Sequence, residues 1–214
     1  MINVIGLGYI GLPTALMLAV HGTEVIGTDY NNKLVETLNE GKTTFKEIGL
    51  DELFDKAQSS GIIFTTEYQK TNMYIVSVPT PYDKFSKKVD ACYVCDAVKR
   101  IARVCEKESV IVIESTVSPG TIDKFIRPII KEFAEDKNIN LVHAPERIIP
   151  GNMIYELYKN NRTIGADDPN IGERIKNIYA SFCKGEIVVT DIKTAEMTKV
   201  IENTFRAVNI AFAN

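Results

Sequence analysis

The chain has 214 residues, 45% of them hydrophobic, and a formal net charge of −3. That is enough for one large domain with a real core, or one domain plus a piece of another, and the charge gives no sign of a polyanion-binding surface. No apolar run approaches the ~20 residues of a membrane span, and the N-terminus lacks the basic and apolar regions of a signal peptide, so a cytoplasmic protein is expected.

The chain opens on an apolar strand over 2–5, followed by Gly6-x-Gly8-x-x-Gly11 and an apolar helical stretch over 13–20. A second strand over 24–28 ends at Asp29. Strand, glycine turn and helix in this order suit a dinucleotide pyrophosphate. Gly6 permits the tight turn, Gly8 lets the backbone approach the phosphates, and Gly11 lets the helix pack close to the strand. Asp29 stands at the offset expected for the acid that holds the ribose hydroxyls, and it would repel a 2′-phosphate, so NAD is favoured over NADP.

Helices are expected over 33–39 and 50–59, then strands over 62–65 and 73–78. The polar, basic segment 82–89 reads as a loop. A helix over 90–105 carries Val94, Val98, Ile101, Ala102 and Cys105 on one face. A strand over 110–114 follows, then a helix from Ser118-Pro119-Gly120 to about residue 136, with Thr116 placed to cap it or form an ST-turn. A strand over 140–143 leads into Ala144-Pro145-Glu146. Beyond it are a short helix near Tyr155, a strand over 162–165, a helix over 169–182 and a strand over 186–190. Near-continuous apolar strands alternating with amphipathic helices specify an α/β, Rossmann-like, doubly wound and mostly parallel sheet over 1–192. Residues 193–214, without Gly or Pro, read as one helix that stops in an apolar pattern with no capping glycine, which leads us to expect a chain cut short within a connecting helix.

Cys92 and Cys95 have the spacing of a redox or zinc motif but lack the second pair such a site needs, so no metal site is expected. His21 is expected at the C-terminal cap of the first helix, and His143 either buried or lining a site.

In open parallel sheets ligands bind beyond the carboxyl ends of the strands. Four segments fall there: Gly6 to Gly11, Val78-Pro79-Thr80-Pro81, the stretch from Glu114 to Thr121, and Ala144-Pro145-Glu146-Arg147. The runs Val76-Ser77-Val78-Pro79-Thr80-Pro81, Ser115-Thr116-Val117-Ser118-Pro119-Gly120-Thr121, Pro145-Glu146-Arg147-Ile148-Ile149-Pro150-Gly151 and Thr194-Ala195-Glu196-Met197-Thr198-Lys199, with Glu202-Asn203, resemble the UDP-glucose/GDP-mannose dehydrogenase family. The resemblance covers the whole chain. Pro145 to Gly151, Glu156-Leu157, Asn161 to Gly165 and the run from Glu202 onward are most similar to the branch acting on UDP-N-acetyl-D-mannosamine.

The resemblance implies oxidation of a sugar C6 alcohol through the aldehyde to the carboxylate with two NAD+, in polysaccharide biosynthesis. It also implies that a cysteine thiolate captures the aldehyde. By the same resemblance that cysteine would lie in a glycine-rich motif beyond the residues of this chain, as would a second, UDP-binding domain. Lys199 would stabilise the alkoxide and oxyanion at C6, with Asn203 one helical turn on as its partner. Thr116 would position the catalytic water and Glu146 would act as base or water-orienting group. Arg147 and Arg206, with Glu146, Lys199 and Asn203, would contact substrate. Cofactor contacts would come from Gly6, Gly8, Tyr9, Ile10, Gly11, Asp29, Lys33, Val78, Pro79, Thr80, Ser115 and Thr116. The connecting helix would build a homodimer. The readings left open are a UDP-N-acetylglucosamine or GDP-mannose 6-dehydrogenase, a non-catalytic NAD-binding module and a β-hydroxyacid dehydrogenase.

Overall fold

The computed structural model describes residues 1–85 and 87–214. Its strands are β1 (Ile2–Ile5), β2 (Val25–Thr28), β3 (Ile63–Thr65), β4 (Met73–Val76), β5 (Tyr82–Asp83), β6 (Lys88–Val89), β7 (Val110–Ile113), β8 (Asn140–His143), β9 (Arg162–Ala166) and β10 (Ile187–Thr190). The α-helices are α1 (Gly11–Val20), α2 (Asn32–Asn39), α3 (Leu50–Ser59), α4 (Cys92–Val104), α5 (Arg127–Ala134), α6 (Met153–Lys159), α7 (Pro169–Ala180) and α8 (Ile192–Ala213).

Eight strands form one sheet in the order β10-β9-β8-β7-β4-β1-β2-β3. Every neighbouring pair is parallel except β8 with β9, which run antiparallel. β1, β2, β4 and β7 are buried on both faces, which is why they read as unbroken apolar runs rather than as alternating ones. One core layer packs α1, α3, α6 and α7 on the sheet, and the other packs α4 and α5.

β1 leaves the sheet at Gly6, where φ is +90° and a side chain would be strained. The turn is tight enough that a Cβ on Gly11 would stand 1.8 Å from the Gly6 carbonyl oxygen. α1 is therefore drawn against β1, and nine of its ten residues are buried.

The reversal at β9 sets the direction of everything after it. Arg162, the first residue of β9, lies on the side of the sheet where β8 ends, because Gly165 pairs with His143 and Ala166 with Val142. β10 runs with β9, so α8 starts at the far side and climbs back along β9 and β8. Asp191 caps it by accepting from Thr194 N–H at 2.9 Å. The sequence pattern started this helix one residue late because it overlooked that cap.

Two expectations need correction. The segment 82–89 is not simply a loop: β5 and β6 pair antiparallel, Tyr82 opposite Val89 and Asp83 opposite Lys88, with Ser86 outside the described residues. The helix expected from residue 118 begins with a π-helical turn at Ile122–Ile126 before α5, and Thr116 does not cap it. The buried Glu196 of α8 does so instead, accepting from Gly120 N–H at 2.6 Å and Ile122 N–H at 3.0 Å. His21 is the C-cap residue of α1, as its position suggested. His143 is fully buried, with Nδ1 2.9 Å from the Ile113 carbonyl. A carbonyl only accepts, so Nδ1 carries the proton. Burial pulls the His143 pKa down to about 4, against the opposing pull of that carbonyl. No helix among the described residues is long and apolar enough to cross a membrane.

Candidate functional site

The carboxyl ends of β1, β2, β4, β7 and β8 open onto one cleft in two halves. The first half, about 250 Å3, is lined by Gly6, Asp29, Tyr30, Tyr68, Val78, Pro79, Tyr93, Asp96 and Arg100 among others. The second, about 270 Å3, is lined by Gly8, Tyr9, Ile10, Ser77, Val78, Pro79, Thr80, Glu114, Ser115, Thr116 and Glu146. Val78 and Pro79 line both, so the halves meet over the end of β4.

Asp29 is buried at the end of β2, where one carboxylate oxygen accepts from Leu7 N–H at 2.8 Å and the other from Asn31 N–H at 2.9 Å. Each oxygen can accept a further hydrogen bond, and Asp29 lines the cleft. Tyr68 packs under the Arg100 guanidinium, 5.9 Å from its ring centroid, and burial pushes its hydroxyl up to about 12. Arg100 is held by Asp96 at 2.8 Å. Sequence reasoning missed Tyr68, Tyr93, Asp96 and Arg100 because they carry no motif; only the fold brings them beside Asp29. Lys33 is on the exposed first turn of α2 and does not line the cleft.

In the second half the strand-end loops are tied together. Thr80 Oγ1 donates to the Thr116 carbonyl at 2.8 Å and Ser115 Oγ to the Val78 carbonyl at 2.7 Å. Glu47, also missed, accepts from the Tyr9 hydroxyl and from Gly151 N–H at 3.1 Å. It thereby joins the glycine turn to the segment that bears Glu146 and Arg147. The Tyr9 bond holds the Glu47 carboxyl below its ordinary range.

Glu146 is buried, and its Oε2 has no hydrogen-bond partner among the described residues. Burial pushes its pKa up to about 7, against the opposing charges of Arg162 and Lys199, while Glu114 adds to the rise. Lys199, two turns into α8, is half-buried; burial lowers its pKa, and Glu146 and Glu202 counter that. Arg147 pairs with Glu202 at 2.7 Å and donates to Thr163 Oγ1 at 3.0 Å. Asn203 and Arg206 are exposed on α8 past Lys199, and none of the three lines the cleft.

Beneath Glu146 lies a buried polar cluster. Glu114 Oε1 accepts from Arg162 at 3.1 Å, Tyr179 at 3.2 Å and Thr14 at 3.4 Å, and Glu114 Oε2 accepts from Ser77 at 2.5 Å. The Arg162 guanidinium stacks 4.2 Å from the Tyr179 ring centroid. Burial works against the Arg162 charge, and Tyr179, Glu114 and Glu146 hold it in place. The available signal was Glu114 itself, an acid closing a wholly apolar strand, which requires a buried partner.

The cleft suits a dinucleotide. The N–H groups of Gly8, Tyr9 and Ile10 have no acceptor among the described residues, at the N-terminus of a helix, where an anion is favoured. A Cβ placed on Gly8 would meet no atom within 4 Å, so the space above the turn is open.

Comparison with known proteins agrees with this geometry. Residues 1–183 match the UDP-glucose/GDP-mannose dehydrogenase family, NAD binding domain. UDP-N-acetyl-D-mannosamine dehydrogenase of Methanococcus aeolicus is 46% identical over 216 residues, covering 100% of this chain and 49% of the relative. NDP-N-acetyl-D-galactosaminuronic acid dehydrogenase of Ralstonia nicotianae is 40% identical over 223 residues, covering 100% of this chain and 52% of the relative. The solved UDP-N-acetyl-mannosamine dehydrogenase of Staphylococcus aureus superposes with a TM-score of 0.90 at 40% identity, over 99% of this chain and 52% of that one. The chain thus spans about half the length of the relatives it matches. With the glycine turn, the Asp29 cleft and this likeness over its whole length, the chain belongs to the UDP-glucose/GDP-mannose dehydrogenase family and carries its NAD-binding domain.

Proposed function

We propose that the chain is the NAD-binding half of a nucleotide-sugar dehydrogenase that oxidises the C6 alcohol of UDP-N-acetyl-D-mannosamine to the carboxylate. One alcohol, two NAD+ and one water would give one carboxylate, two NADH and three protons. The observation that carries this reading is the buried Glu146 carboxyl, with its unpartnered Oε2, at the wall of a cleft with open dinucleotide donors and within reach of the Lys199 charge. The relatives named for this substrate supply the sugar.

NAD+ supplies the hydride acceptor. Gly8, Tyr9 and Ile10 bind its pyrophosphate through their backbone N–H groups, Asp29 its ribose, and Val78, Pro79, Thr80 and Ser115 the wall beside it. The Lys199 ammonium holds the charge that develops on the C6 oxygen, and Asn203 assists it once substrate covers α8. Thr116 positions the water that forms the second carboxylate oxygen, and Glu146 accepts that water's proton. Arg147 and Arg206 contact the substrate's anionic part. Residues 1–192 form the cofactor domain and 193–214 the start of the connecting helix. Exposed Ile201, Phe205, Val208 and Phe212 on that helix would bury against a second copy. The same reading puts the enzyme in the cytoplasm, in polysaccharide biosynthesis.

The test has two arms. Calorimetric titration of this chain should give saturable binding of NAD+ and much weaker binding of NADP+. The full-length protein should form two equivalents of NADH per UDP-N-acetyl-D-mannosamine, and fewer with UDP-N-acetylglucosamine or GDP-mannose. NAD+ binding with no oxidation of any nucleotide sugar would leave only a binding module.

A further inference from the structure

Glu146 shares a small cavity with Arg162, yet no ion pair forms between them among the described residues. Arg162 is 5% exposed, its Nη1 is on Glu114 at 3.1 Å, and its flat face is on Tyr179. Glu114 is in turn held from four sides by Thr14 of α1, Ser77 after β4, Arg162 of β9 and Tyr179 of α7. A buried guanidinium without a carboxylate of its own would take the nearest one, and Glu146 is the carboxylate next to it. We infer that Glu114 is a positioning residue: it holds Arg162 at the wall of the small cavity beside Glu146, so that the Glu146 carboxyl stands without a permanent partner and can take up and return a proton. This rests on the role given above to Glu146 as proton acceptor.

The charged groups around Glu146 come from three other elements and from its own segment. They are Arg162 of β9, Glu114 just after β7 and Lys199 of α8, with Glu202 and Arg206 of α8 and Arg147 acting in turn on Lys199. Glu114 and Arg162 act on Glu146 in opposite senses, with Arg162 the stronger. Lys199, Glu202, Arg147 and Arg206 are unchanged in the variants below, so any difference belongs to the pair.

The test is a pH titration of this chain labelled with 13C at the glutamate carboxyls, with the Glu146 resonance assigned by its loss in Glu146→Gln. The Glu114→Gln variant keeps acceptor and donor atoms in the cluster but removes the charge holding Arg162. Its Glu146 midpoint should fall by about one pH unit or more. An unchanged midpoint in a folded Glu114→Gln chain, judged by its amide spectrum, would overturn the proposal. The double variant Glu114→Gln/Arg162→Met replaces the pair by neutral groups of similar volume, a change buried pairs tolerate. It should return the midpoint to the wild-type value or above; a midpoint that stays low would overturn the proposal even if Glu114→Gln alone does not fold. No cofactor or sugar enters the measurement. A wrong functional assignment would therefore appear as absent turnover in the full-length protein while the titration behaves as described.

Discussion

The Asp29 carboxylate fixes the glycine turn before any ligand arrives, because Leu7 N–H and Asn31 N–H both end on it. Removing it leaves the buried Leu7 N–H and the part-buried Asn31 N–H without their acceptor, as well as a ribose without its own. Asp29→Ala should lower NAD+ affinity at least about tenfold by calorimetry. Gly11 has a different constraint. A methyl group there stands 1.8 Å from the Gly6 carbonyl oxygen, a backbone atom that cannot swing aside like a side chain. Gly11→Ala should cost about 3 kcal/mol or more in urea unfolding, because neither the turn nor the helix start can move aside. Both positions were legible in the sequence, since a turn and the strand beside it declare themselves by local spacing. Glu47, Glu114 and Glu196 were not. Their partners lie 38 to 104 residues away in the case of Glu47, 37 to 100 for Glu114, and 74 to 76 for Glu196. Such pairs exist only once a parallel sheet has brought distant strand ends level.

α8 is where a single element serves two purposes. Its first turns are pinned to the sheet by Ile192, Ala195 and the Glu196 carboxylate, and that anchoring fixes how near Lys199 stands to Glu146. Glu196→Ala would leave Gly120 and Ile122 N–H without acceptors at a cost of about 2–3 kcal/mol. Amide exchange at those two residues should accelerate in proportion. The end of β8 carries two titratable groups displaced in opposite senses. The Glu146 pKa, raised to about 7, contributes stability that is present below its unfolded value and lost as pH rises through 7. The His143 pKa, lowered to about 4, contributes stability that is present above its unfolded value and lost as pH falls toward 4. Each amounts to on the order of 3 kcal/mol, and they offset one another between the two limits. Unfolding midpoints measured against pH should therefore vary little there in the native chain. Glu146→Gln should expose a loss toward acid that the native chain conceals.

At the scale of the whole molecule, the sequence pattern made the alternation of strands and helices plain but not the direction of the last two strands. Short strand segments such as 162–165 look alike whichever way they point, and only pairing fixes the sense. The exposed apolar side of α8 belongs to this scale too. Phe205→Glu with Phe212→Glu should reduce self-association in sedimentation velocity at high protein concentration while leaving NAD+ binding unchanged. The antiparallel placement of β9 has an optical consequence. Because α8 climbs toward the cleft rather than away from it, Ala213 lies about 21 Å along the helix from Lys199 at 1.5 Å per residue. A fluorescent label at the last residue would sit within energy-transfer range of a reduced nicotinamide in the cleft, so this chain has a built-in ruler for cofactor arrival.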